Sequence, residues 1–339
     1  MQQGVNRRNA FDFSPSCRFH LVRLACLGLI IGASSLRAQE LKSRAALRSA
    51  DVRSIAFSPD GKTLLSGGWD KTVQLWDVAR AEKIADFKTR HSSPISSVAF
   101  SPDGRTVASA GVHDAIRLWN VADWKLAAVL TGEKGFEGFD AVAFSPDGKL
   151  LASGTLFQVA LWDVASGKRV ATFKVCDFVE SVAFSPDGKT LASAGSPVHL
   201  WDVAGRRLVT SFTPEEPSVQ SVAFSPNGKT LASVGYCGGV LMLWDTASGK
   251  GTTLDKDLIG GHCAAFSPDG KTVAFGRSHT IEFWDVSSHK RITTVGHGAT
   301  CIAYGPDGKT LATGEDGAIN LWDVTRQAKL SLEPSKTSP

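Results

Sequence analysis

A tetrapeptide that returns seven times constrains this chain more than any other feature. Ser58-Pro59-Asp60-Gly61 recurs at 101–104, 145–148, 185–188, 225–228 (with Asn227), 267–270 and 305–308 (with Gly305). The prolines stand 43, 44, 40, 40, 42 and 38 residues apart. A Leu-Trp-Asp or near variant follows each turn, carrying Trp76, Trp119, Trp162, Trp201, Trp244, Trp284 and Trp322, seven of the nine tryptophans. A fixed period near 40 means one supersecondary unit used over and over.

Each unit reads as four short strands. Ser97-Val98-Ala99-Phe100 enters a turn whose Pro presets φ, whose Asp supports the turn and whose Gly accepts the left-handed conformation. Arg105-Thr106-Val107-Ala108-Ser109 leaves it, so the pair is a hairpin. Ala115-Ile116-Arg117-Leu118-Trp119 and Leu126-Ala127-Ala128-Val129 supply the third and fourth strands. One such sheet cannot bury both faces, whereas seven in a ring bury each against its neighbours. The expected fold is all-β, a seven-bladed β-propeller of four-stranded antiparallel blades. This pattern resembles the WD-repeat family over residues 41–332.

That resemblance implies a buried hydrogen-bond chain in each blade: a His before the first strand, a Ser/Thr on the second, an Asp in the next turn and the repeated Trp. Such a network rigidifies a blade only when every member is present. The first unit has Ser66, Asp70 and Trp76, with Arg48 at the His register. The second has His91, Ser109 and Trp119, but His113 takes the Asp register and Asp114 sits one place late. The last has His297, Thr313, Asp316 and Trp322, and is expected to hold the complete set. His262 lies out of register, four residues before Phe266. The family commonly closes its ring with an N-terminal strand. Arg44-Ala45-Ala46-Leu47 and Lys329-Leu330-Ser331-Leu332 compete for that edge.

Residues 1–38 read as an export signal. A basic segment precedes the apolar run 24–33, and Leu36-Arg37-Ala38 offers a cleavage site before Gln39. Uncleaved, the same segment would tether the chain to a membrane. The expected organisation is a signal at 1–38, a propeller at 39–333 and a disordered tail at 334–339. The expected compartment is periplasmic or extracellular, with membrane tethering as the alternative.

The formal charge of +4 resides in that leader, where five arginines face one aspartate; beyond it, 32 basic residues balance 32 acidic ones. A balanced propeller has no excess to neutralise phosphates, so nucleic acid is not an expected partner. Metal signatures and the G-x-S-x-G elbow are absent. The recurrent Gly-Lys-Thr belongs to the hairpin turn and enters a strand, unlike a phosphate loop. The innermost strands offer Ser and Ala where catalysis needs His, Asp or Glu, and Glu180 with Arg53 makes no acid–base pair. No catalytic residue, cofactor or metal is expected. Cys263 and Cys301 hold matching places in adjacent units. They are read as two buried thiols, with a cross-blade disulfide as the alternative.

In the family, the loops between second and third strands share one face with the links between blades, and this face commonly binds partners. Mapped onto this chain, it presents Trp69, Val112, Thr155, Phe157, Tyr236, Arg277 and Glu315, with Phe136 and Phe178 from the links. Trp, Tyr and Arg often anchor interfaces. Trp69, Val112, Phe136, Tyr236, Arg277 and Glu315 are the expected contact residues. Phe157 and Phe178 are expected to fold over their own loops, and Trp124, on the opposite face, to pack on its own blade. The implied function is a non-catalytic, monomeric scaffold for a protein or peptide. The alternative is a propeller that binds or hydrolyses a small molecule at the channel.

Overall fold

A computed structural model describes residues 43–49, 51–89, 91–112, 114–132, 138–214, 219–315 and 317–325. The expected signal, His113, Phe136, Asp316, the 329–332 strand and the tail lie outside them. Seven antiparallel blades follow one another in chain order. The second is representative: Ile95–Phe100 innermost, then Thr106–Gly111, Ile116–Asn120 and the outer Leu126–Leu130. In the third blade, Leu150–Asp163 contains both middle strands. The Trp162 indole N–H lies 2.9 Å from Ser153 Oγ, so the chain doubles back between them, around Phe157.

The ring closes through the N-terminal strand. Ser43–Arg48 pairs antiparallel with Ala318–Asp323, occupying the outer edge of the seventh blade. Leu47 joins Val52, Ile55 and Leu64 of the first blade and Ile319 and Leu321 of the seventh in one buried cluster. The strand therefore serves the sheet by its backbone and the blade junction by its side chain.

The core is distributed and not central. Seven buried clusters occur, one for each junction between neighbouring blades. Each contains the repeated Trp of the later blade packed on the earlier one, as Trp119 packs on Leu65, Val73 and Leu75. That arrangement explains why Trp is repeated: one large ring spans the wedge between twisted sheets while its N–H finds an acceptor in its own blade.

Serines of the innermost strands stitch the blades around the channel. The hydroxyls of Ser54, Ser97, Ser181 and Ser221 accept from the backbone N–H of Val98, Val142, Val222 and Ala264 in the following blade, at 3.0–3.3 Å. Thr300 Oγ1 donates to Val52 O at 2.9 Å across the closing junction. On the face of the tetrapeptide turns, each proline abuts the next turn's glycine. A Cβ added at Gly61 would stand 3.1 Å from Pro306 Cγ, which carries this chain of contacts across the closure.

Candidate functional site

The hydrogen-bond chains come first, because they resemble chemistry. In six blades the Trp indole N–H donates to the Ser or Thr hydroxyl of the second strand, at 2.8–3.0 Å. The second blade extends this furthest. His91 Nε2 lies 2.9 Å from Ser109 Oγ, and Asp114 Oδ2 lies 3.2 Å from His91 Nδ1. The expectation that Asp114 stands one place too late is therefore corrected. Its carboxylate also accepts from Ser92 N and Ala115 N, both at 2.7 Å, so the short loop bends to deliver it.

Ser109, His91 and Asp114 thus have the connectivity of an acyl-transfer triad, but the serine sits in the blade interior, where the Trp119 indole N–H donates to it. Arg117 Nη1 approaches His91 Nδ1 at 2.5 Å, and a guanidinium can only donate. The same nitrogen faces the Asp114 carboxylate, which can only accept, so the imidazole is held between a donor and an acceptor. Ser109 is also fully buried. Burial, and then the nearby Arg117 charge, pull the His91 imidazole down to about 4, so it stays neutral.

Of the complete set expected in the seventh blade, Asp316 lies outside the described residues. Trp322 donates to Thr313 Oγ1, but His297 Nδ1 stands 3.0 Å from Glu315 Oε2 without hydrogen-bond alignment, and its ring meets Trp322 edge-on at 5.4 Å. Glu315 also accepts from Asn320 Nδ2. In the first blade, Gln74 bridges Asp70 Oδ2 and Ser49 Oγ while Trp76 donates to Ser66.

The sixth blade uses a substitute. Phe275 replaces the second-strand hydroxyl, and the Trp284 indole donates instead to Glu282 Oε2 at 3.1 Å. Glu282 is almost wholly buried; Arg277 reaches its other oxygen at 2.7 Å and Arg291 at 3.5 Å. One carboxylate so replaces a hydroxyl, with two guanidinium groups to balance it.

Antiparallel alternation places the loops between second and third strands at the end of each blade opposite the tetrapeptide turns, together with the links between blades. This end is where the exposed aromatics are found. Trp69 is 53% exposed, Phe157 43%, Phe178 54% and Tyr236 39%. The expectation that Phe157 and Phe178 fold over their loops is corrected. Their rings lie 6.3 Å apart, against each other and in solvent. Tyr236 meets His262 at 5.2 Å. Val112 is half-buried and Thr155 buried. Arg277 and Glu315 lie at this end, but Arg277 is engaged in an ion pair with Glu282 and Glu315 accepts from Asn320, each within its own blade. On the opposite face Trp124 stacks on Phe87 with centroids 3.7 Å apart.

Arg53 and Glu180, already noted in the sequence, lie at this end of the blades, and Asp140 and Asp177, which it did not single out, lie there too. Arg53 places its guanidinium 4.7 Å from the centre of the Trp69 ring. Asp140 and Asp177 both act on Glu180, which is surface-accessible yet surrounded by protein. Desolvation, followed by the Asp140 charge, raises the Glu180 carboxyl, while Arg53 opposes the shift and Asp177 adds to it. Arg53, Asp140 and Glu180 stand at or just before the starts of the innermost strands of the first, third and fourth blades. Among the described residues, no group of three or more His, Cys, Asp or Glu could hold a metal ion. Cys263 and Cys301 are free buried thiols, so the disulfide alternative is not realised; burial pushes Cys301 up to about 12.

This architecture defines a WD-type propeller. The chain matches the repeat described as WD domain, G-beta repeat, over residues 41–77, 83–120, 124–163, 167–197, 206–245 and 289–323, and it belongs to that family. The interval 246–288, which these matches pass over, contains the Phe275 and Glu282 exchange. Propellers of this family commonly act as protein-interaction scaffolds. No curated protein matches the chain.

Proposed function

We propose that this protein is a non-catalytic platform, exported from the cytoplasm, that binds a protein or peptide on the propeller face carrying Trp69 and Tyr236. The observation that carries the reading is the segregation of exposed aromatics. Trp69, Phe157, Phe178 and Tyr236 all emerge at one end of the blades, while Trp124 at the other end is stacked on Phe87. Large rings left in solvent on one face and folded down on the other mark the first as a contact surface, because such rings bury much area at little entropic cost. Export rests on the order of basic, apolar and small-residue segments in residues 1–38.

Affinity capture from native extract tests the platform, with a Trp69→Ala/Tyr236→Ala variant of unchanged melting temperature run in parallel. A partner retained by the wild type and lost by the variant supports the face. Capture of the same set by both proteins refutes it. N-terminal sequencing of the mature protein beginning at Gln39 would support export, and an intact Met1 in the cytoplasmic fraction would oppose it.

A further inference from the structure

Six of the seven tetrapeptide turns have aspartate at the third place, and the fifth has Asn227. Beyond residue 38 the chain has two further asparagines, Asn120 before Val121 and Asn320 before Leu321, so Asn227 alone precedes a glycine. Such a pair carries a latent reaction, one reason asparagine is a heat-labile residue. The glycine nitrogen can attack the asparagine Cγ, because no side chain on the following residue shields the approach. A bond forms between Gly228 N and Cγ, the Cγ–Nδ2 bond breaks, ammonia leaves and a succinimide remains. Water then opens the ring on either side of the nitrogen. Cleavage at Cγ gives aspartate, and cleavage at the main-chain carbonyl gives isoaspartate.

The fifth turn opposes each requirement of that reaction. The nucleophile is engaged, since Gly228 N donates to Ser225 O at 2.8 Å. Asn227 Oδ1 accepts from Ser225 Oγ at 2.8 Å and from Lys229 N at 2.9 Å, which fixes the orientation of the carboxamide. The buried Ser225 Oγ also accepts from Thr230 N at 2.9 Å and so ties the turn to the second strand. Gly228 holds φ 69°, the left-handed conformation that ends the turn. Neighbouring turns close on it from both sides. A Cβ added at Gly228 would stand 3.4 Å from Pro186 Cδ, and one at Gly270 the same distance from Pro226 Cδ.

We propose that Asn227 is a deamidation site that the closed fifth hairpin keeps in the amide form, so that its modification records opening of that hairpin. The two products act in opposite directions. Aspartate restores the residue of the other turns, where the serine hydroxyl approaches the carboxylate at 2.6–2.7 Å. Isoaspartate adds a methylene to the main chain and removes the register on which the Gly228–Ser225 bond depends. The second strand of this hairpin, Thr230–Gly235, runs from the turn directly to Tyr236, so the lesion lies at the root of the strand that presents that ring.

Incubation of the purified chain at mildly alkaline pH, followed by peptide mapping with mass spectrometry, tests this. The native chain should lose the Asn227 amide at least about tenfold more slowly than the same chain held unfolded in guanidinium chloride, because only the open fraction reacts. Ser225→Ala removes a hydroxyl that holds both Asn227 and Thr230, and should raise the native-state rate several-fold. Ser101→Ala, the same loss in the second blade, should leave that rate unchanged. If Ser225→Ala melts low, Pro226→Ala takes its place with the same expectation. Equal rates in the native and unfolded chain, or earlier loss of the Asn120 or Asn320 amide, overturn the proposal. So does a fifth-turn variant that accelerates the reaction no more than Ser101→Ala, because global opening would then be the route.

Discussion

A single residue displaced by one place can keep its role if the loop bends, and Asp114 shows what decides it. Two backbone N–H groups and Arg117 fix its carboxylate against His91, whereas Asp70 in the first blade serves Thr72 and Gln74 near the surface. Asp114→Ala would leave the buried His91 and Arg117 without their anchor and should cost about 2–3 kcal/mol. Asp70→Ala should cost about 1 kcal/mol, and calorimetry of the two variants compares them directly. Equal melting temperatures would show that Asp114 is not the anchor.

His91 also ties stability to pH. Its pKa is about 4 when folded, against an ordinary 6.5 when unfolded, so between those values the unfolded chain binds the extra proton. Stability is therefore lost as pH falls from 6.5 towards 4. From pH 7 to pH 5 the loss should be about 2 kcal/mol. Asp114 is held below the ordinary carboxylate range and adds to the loss only at lower pH, below about 4. Urea unfolding of the wild type and His91→Gln at pH 7 and pH 5 isolates the contribution, since the variant lacks that proton uptake. Parallel pH dependence in both proteins would rule His91 out.

At the scale of strands and blades, the sixth blade's exchange is the most informative. Glu282 serves Trp284 and two arginines at once, so Glu282→Ala strands Arg277 in a largely buried position and should cost about 3–5 kcal/mol. Adding Phe275→Ser would return an acceptor to the Trp284 indole and should recover part of that loss. No recovery would mean that the arginines, and not the indole, set the cost. The strands, turns and ring were legible in the sequence because they depend on local rules repeated seven times. What was not legible depends on reach. Whether Asp114 or His113 meets His91 is decided by loop curvature. The Glu282 substitution is visible only once Phe275 is known to lie opposite it. The charges of Arg53 and Asp140 act on Glu180 from blades that sequence separates by tens of positions. The closing strand was ambiguous because two segments had the right length, and the junction cluster around Leu47 shows what Ser43–Arg48 contributes to that edge.

For the whole molecule, closure determines how stability is shared. An open repeat array can fray from either end, because a terminal repeat has one interface to lose where an internal one has two. Here no blade is terminal: Leu47, the Thr300 hydrogen bond to Val52 and the Pro306–Gly61 contact give the first and seventh blades a junction like the other six. Releasing any blade exposes two junctions, each with a buried Trp, and this penalty makes partial unfolding unfavourable everywhere. Unfolding should then be a single transition, coincident by far-ultraviolet circular dichroism and by tryptophan fluorescence. Leu47→Ala should cost about 2–4 kcal/mol and weaken one junction selectively. Its effect should therefore go beyond a lower midpoint. Hydrogen exchange should rise in the seventh and first blades before the fourth, since those two flank the weakened junction. Exchange that rises uniformly around the ring, with the same midpoint shift, would show that the closing junction has no special place in the cooperativity of the fold.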